Sequence, residues 1–286
     1  MYVQAPANGQ GLPAAVGRQD SNLGRRLDII GRYHDMSQSP DGIFPNRAER
    51  QVGRDHLLLF FWAPVIWSSG TRISWSAIAS GRLDRSVIIP EAERLRAYRS
   101  RVFLAFGAES DGSVSNANTP WQFAAAWRHI HLLFARLRVN NVVWVWTTTG
   151  YLPHASTIAA MYPGSAYVDW IGYDPYNVFT CHHIPWQDFS QTVGPFYHWL
   201  SAKGFRKPIM LSEYGTEMDP ADPELEASWY GDIIPTLQRF RHIKAMALWN
   251  SAAAPGCDFR LSSASPAARA AYRQTGLSPY LRQRIP

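Results

Sequence analysis

The chain has 286 residues, 46% of them hydrophobic, enough for a sizeable core in one large domain or two small ones. No apolar run approaches the ~20 residues a bilayer span needs, so a soluble chain without a membrane span is expected. The formal charge of +6 invites a nucleic-acid reading. However, the arginines from Arg82 to Arg101 and from Arg128 to Arg138 alternate with apolar positions, as on a solvated outer face. No zinc-finger spacing or aromatic ribonucleoprotein motif joins them, so nucleic acid is not expected as a partner.

The predicted strands, in chain order, are Met1 to Ala5, Leu27 to Tyr33, His56 to Trp62, Val102 to Phe106, Val142 to Trp146, Val168 to Tyr173, Pro208 to Ser212 and Lys244 to Trp249. Most are near-continuous apolar runs, the pattern of parallel strands covered on both faces. Helix-length segments alternate with them. The clearest follows the fourth strand, where Phe123, Ala126, Trp127, Ile130, Leu133, Phe134 and Leu137 recur at helical spacing behind Thr119-Pro120. Further helices are expected from Trp186 to Gly204, with Gly194-Pro195 as a break or kink, from Leu225 to Phe240, and from Ser265 to Tyr272. Eight βα repeats with no composition break predict α/β architecture, a single (β/α)8 TIM barrel occupying residues 1–286. A doubly wound open sheet is the rival, but the turn PANGQG after the first strand lacks the G-x-G-x-x-G spacing.

In such a barrel, chemistry sits at the C-terminal ends of the strands. The fourth strand runs into FGAESDGS and the seventh into IMLSEYG, which puts Glu109 and Glu213 at two rim positions. Strands four and seven face each other across an eight-stranded ring, so the two carboxylates are expected to share one cleft. A pair about 5–5.5 Å apart suits retaining glycoside hydrolysis, and a wider pair suits inversion. The other strand ends fit a sugar site. Trp62, Trp67, Trp146, Tyr173, Tyr176 and Trp249 offer rings for apolar pyranose faces, while His34, Asp35 and Asp174 offer hydrogen-bonding groups for hydroxyls.

The segments YHDMS (33–37), ISWSAIASGRLD (73–84), VFLAFGAESDGS (102–113), TPWQFAAAWRHI (119–130), VVWVW (142–146), YPGSAYVDWIGYDPYN (162–177) and KPIMLSEYGT (207–216) occur in the order seen in glycoside hydrolase family 26, which the chain resembles. The resemblance covers nearly the whole chain. It implies a retaining β-glycanase without metal or cofactor, with Glu109 as proton donor and Glu213 as nucleophile. It further implies that Tyr176 hydrogen-bonds the nucleophile and that Trp249 floors the sugar site beside it. The family usually carries His-Glu-Met-Asn-Gly around the acid, whereas this chain has Ala108-Glu109-Ser110-Asp111-Gly112. Asp111, counted with the substrate-binding groups, adds a negative charge that raises a neighbouring carboxyl pKa.

Two cysteines, Cys181 and Cys257, read from sequence alone as free thiols or one bridge. With the resemblance both fall in rim loops, which implies a disulfide pinning the cleft and an oxidising compartment. The opening MYVQAPANGQG has no signal-peptide pattern, yet Met1 stands at the edge of a strand, and a secreted or extracytoplasmic protein is the expectation. His182-His183 is read as a loop or sugar-contact pair, not a zinc site. The expected partner is a polysaccharide or oligosaccharide of the mannan, xylan or glucan class, bound by a monomer. The alternatives are a non-hydrolytic glycan-binding barrel and a transglycosylase.

Overall fold

The apolar runs become strands buried on both faces. The computed structural model describes residues 1–5, 9–40, 42–253 and 256–281; residues 6–8, within the segment expected as a turn, lie outside the described set. The strands are β1 (Tyr2–Val3), β2 (Ile29–His34), β3 (Leu57–Trp62), β4 (Val102–Phe106), β5 (Val142–Thr148), β6 (Trp170–Tyr173), β7 (Ile209–Thr216) and β8 (Ile243–Asn250). All pair in parallel in sequence order, and β8 pairs with β1 through Tyr2↔Trp249 and Val3↔Asn250, which closes the (β/α)8 ring. The helices include α1 (Leu12–Leu23), α2 (Arg47–Val52), α3 (Ile89–Tyr98), α4 (Pro120–Arg136), α5 (Ala155–Met161), α6 (Phe189–Ala202), α7 (Glu224–Gly231) and α8 (Pro266–Gly276).

Local chemistry sets the helix ends. Thr119 caps α4 in a capping box with Gln122, and Pro120 takes the first turn, where its missing N–H costs nothing. Ser265 caps α8 the same way from its side chain. The Gly194-Pro195 pair does not break α6, which runs through it. The segment expected as one helix from Leu225 divides into α7 and a short helix, Ile233–Arg239.

Alternation along each strand sorts side chains into two cores. Ile29, Leu59, Phe61, Phe103, Ala105, Val145, Met210 and Ala247 fill the inside of the ring. Leu58, Phe60, Trp62, Leu104, Phe106, Trp144 and Trp146 point outward and pack beneath the helices. Behind β2 the outer layer also encloses charge: Glu49 Oε1 lies 3.2 Å from Arg32 Nε and 2.8 Å from His34 Nε2, all three fully or almost fully buried.

Candidate active site

The two rim carboxylates come from different local geometries. Glu109 follows β4 through Gly107, and both have positive φ (55° each). This left-handed backbone is uncommon for a residue with a Cβ and concentrates at functional turns. It makes Glu109 the cap of a tight 3-10 turn, Ser110–Ser113, at the C-terminal end of β4. Glu213 does not follow β7, as the sequence suggests, but lies within it, since the strand continues to Thr216. The pairing of β7 with β8 shifts register between Leu211 and Tyr214, an irregularity that re-aims the side chains there.

Backbone and hydroxyl contacts connect the two segments across the barrel. The Glu109 N–H donates to Thr147 O at 3.3 Å, and Thr147 Oγ1 lies 3.0 Å from the hydroxyl of Ser212, next to Glu213. Gly172 on the intervening β6 leaves room for that bond, because a Cβ there would stand 2.1 Å from Ser212 Oγ and 2.4 Å from Thr147 Oγ1. Above it, Asp174 Oδ1 accepts the Glu213 N–H at 2.9 Å, and the Tyr176 hydroxyl donates to Glu213 Oε2.

The environments of the acids differ. Glu109 is open to solvent on one side, yet protein walls surround it. That partial desolvation, followed by the negative charge of Asp111, raises its pKa to about 7. Burial raises Glu213 to about 8. The Tyr176 hydroxyl opposes this rise, since a bond donated to a carboxylate favours its ionised form. Burial also holds Asp174 well above the usual carboxylate range, and the Glu109 charge adds to the shift. Among the described residues, Asp174 Oδ2 has no hydrogen-bond partner, which suits a neutral carboxyl.

On the Glu213 side the wall is aromatic. Trp249 stacks on Tyr2 at 4.1 Å, Tyr33 meets both rings edge-on, and Tyr33 stacks on Phe61 at 4.4 Å. The charge of Glu213 helps raise the pKa of Tyr2, which places that hydroxyl in the same electrostatic neighbourhood. Trp67 sits at the rim, 41% exposed, in the hairpin Val65–Ile66/Thr71–Arg72 after β3.

Several expected sugar contacts lie elsewhere. Trp62 and Trp146 belong to the outer core, Trp62 between Phe44 and Phe106 and Trp146 against Tyr162, because their strand positions face the helices. His34 has the same outward direction and is bonded to Glu49. Tyr173 is likewise buried against Phe196. Asp35 is committed to its own loop: Oδ1 accepts from the Ser37 N–H and hydroxyl, and Oδ2 from the Trp67 N–H. Asp111 accepts from the Thr149 N–H at 2.9 Å and the Thr149 hydroxyl, and His154 Nδ1 lies 3.0 Å away. Sequence reasoning missed Tyr2, Tyr33, Thr147 and Ser212. Tyr33 shares the parity of Gly31 and Ile29, and that alternation was the available signal.

Loops after β6, β7 and β8 are fastened into one wall. Cys181 and Cys257 form a disulfide with Cα atoms 5.1 Å apart, so their sulfurs are not available as thiolate ligands beside His182. Buried Glu217 reinforces it: Oε2 accepts from the Thr180 and Cys181 N–H groups at 3.0 and 2.9 Å, and Oε1 from that of Asp258 at 3.4 Å. At the opposite, N-terminal end of the barrel is a cavity of about 580 Å³ bordered by Ile29, Leu57, Phe103, Trp170 and Lys244. Its Asp28 is paired with Arg25, and it holds neither rim acid.

Comparison with known proteins agrees with this geometry. The family model for glycosyl hydrolase family 26 matches residues 103–242. Endoglucanase H of Acetivibrio thermocellus is 28% identical over an alignment of 269 residues that covers 88% of this chain and 27% of that protein; the chain thus spans about a quarter of its relative. The catalytic domain of the Bacillus sp. JAMB-750 endo-β-1,4-mannanase superposes with a TM-score of 0.63 at 15% identity, covering 92% of this chain and 79% of that one. A modular endo-β-1,4-mannanase from Cellulomonas fimi gives 0.64 at 15% identity over 91% and 65%. At such identities the solved structures attest the barrel, and the sequence matches carry the kinship. The chain is similar to glycosyl hydrolase family 26, whose model it matches over residues 103–242.

Proposed function

We propose that this barrel is a retaining, endo-acting β-glycanase. One observation carries the reading: two acidic residues from opposite strands converge on Asp174 and Tyr176, which are bonded to Glu213 and feel the charge of Glu109, in unequal surroundings. Glu109 is the solvent-open acid held up near neutrality, and Glu213 is the enclosed acid gripped by Tyr176. In the first step a Glu213 oxygen attacks the anomeric carbon while Glu109 protonates the departing glycosidic oxygen, leaving a glycosyl ester on Glu213. Glu109, now a base, removes a proton from water. The water oxygen attacks the same carbon, and the ester bond breaks to restore Glu213. Trp249 and Tyr2 supply rings for the sugar on the nucleophile's side. Neither step asks for a metal or cofactor.

The substrate is a β-linked glucan or mannan, with xylan as the remaining member of the class. Glucan comes first, because the relative at 28% identity is an endoglucanase while the mannanase structures share 15%. The barrel acts as one catalytic domain and as a monomer, and its disulfide suits an oxidising, extracytoplasmic compartment.

The test is a panel of β-glucan, mannan and xylan with product sizing and NMR of the first-formed anomer. Mid-chain cleavage with retained configuration is expected. Glu213→Ala should lower the rate by about four orders of magnitude or more, even on activated aryl glycosides. Glu109→Ala should keep activity on good leaving groups and respond to azide. Wild-type rates in Glu213→Ala, or inverted product, refute the assignment. Glycan affinity without any chain cleavage would favour a binding barrel.

A further inference from the structure

We infer that Tyr151, seated on His154, is the ring that receives the sugar on the leaving-group side of the scissile bond. This rests on the hydrolase reading and extends it to a subsite. A general acid must stand beside the glycosidic oxygen, and that oxygen departs with the leaving sugar. The leaving sugar therefore lies against the elements around Glu109, away from the Tyr2 and Trp249 wall.

Two elements are bonded to the 3-10 turn that follows Glu109. On one side Asp111 holds the loop after β5, accepting from Thr149 N–H and hydroxyl, with His154 Nδ1 at 3.0 Å. The Tyr151 N–H donates to the Thr149 hydroxyl oxygen at 3.1 Å, and its ring meets the His154 ring edge-on, centroids 5.1 Å apart. On the other side Arg72 Nη1 donates to Ser113 Oγ at 3.2 Å, which fastens the hairpin carrying Trp67.

Single exposed apolar residues are ordinary. Tyr151 differs in how it is held: the residue is 57% exposed, yet its supporting His154 is bonded to Asp111 of the acid's own turn, and its backbone N–H is bonded to Thr149, which is itself bonded to Asp111. Pre-positioning a ring in this way lowers the ordering cost when a pyranose packs its C–H face on it. The occupant is a pyranosyl residue of the β-glycan on the reducing-end side, and, when the ester intermediate is intercepted by a sugar hydroxyl, the acceptor.

The experiment compares two substrates with wild type, Tyr151→Ala and Tyr151→Trp. One is the hexasaccharide of whichever glycan the wild type cleaves; the other is a 2,4-dinitrophenyl β-disaccharide, whose leaving group makes no sugar contact. For Tyr151→Ala the kcat/KM ratio of hexasaccharide to aryl glycoside should fall about tenfold, the scale of one aromatic packing contact. The share of lengthened products should fall with it, and Tyr151→Trp should restore both. Equal losses on both substrates would mean a structural role and overturn the inference, as would an unmoved ratio. A wild-type chain inert toward every substrate would instead refute the hydrolase reading itself.

Discussion

Tyr176 decides which form of Glu213 the site holds. Burial alone takes this carboxyl up to about 8, so few molecules would carry an ionised nucleophile at neutral pH. The hydroxyl bonded to Oε2 favours the ionised state and works against that burial. Removing the donor in Tyr176→Phe should raise the Glu213 pKa further. With Glu213 at about 8 and Glu109 at about 7, the upper, alkaline limb of the kcat/KM profile follows Glu213, so it should move to higher pH. The acidic limb, which follows Glu109, should move less, because Asp111 and the partial burial that raise Glu109 are unchanged. Profiles of the two enzymes on one aryl glycoside check this; an alkaline limb that stays put or moves down would deny Tyr176 that role.

Elements at the rim are secured by paired fasteners. The disulfide joins the loops after β6 and β8, and Glu217, at the end of β7, collects three backbone N–H groups from the same two loops. Breaking the bridge in Cys257→Ser releases a closed loop and should cost about 2–4 kcal/mol. Glu217→Ala removes the acceptor of three partly buried loop amides, so a loss of about 1–2 kcal/mol is expected. Because both changes act on one joint, the double variant should depart from additivity. Chemical denaturation of the four proteins measures the coupling; strictly additive losses would show that the two fasteners act independently.

Across the whole molecule, stability is tied to pH through a buried residue outside the rim pair. Glu91 on α3 is fully buried, receives Arg94 on Oε2, and among the described residues has no partner on Oε1. Burial outweighs the Arg94 charge and raises its pKa to about 8 from an ordinary 4.5. The unfolded chain therefore releases this proton near pH 4.5, whereas the folded one keeps it to about 8. The stability linked to Glu91 is complete below the lower value and is lost as pH rises through that window. Glu91→Gln cannot ionise and should show a smaller fall in Tm between pH 5 and pH 8 by calorimetry. A fall as large as that of the wild type would rule Glu91 out as a source.

Strand by strand, the apolar runs announced eight parallel elements, and the positions after the fourth and within the seventh drew attention to Glu109 and Glu213. Those features are local: a run of Val, Leu, Ile and Phe interrupted by a carboxylate needs no partner to be noticed. The direction of each side chain was not legible. Strands covered on both faces are apolar at every position, so the alternation that separates inside from outside disappears from their sequence. For that reason Trp62, Trp146 and His34 read as rim groups although they face the helices, while Tyr2 and Tyr33 passed unnoticed. Only closure of the ring brings Tyr2, near one end of the chain, against Trp249, near the other, because β1 and β8 become neighbours through backbone pairing that no spacing along the chain encodes.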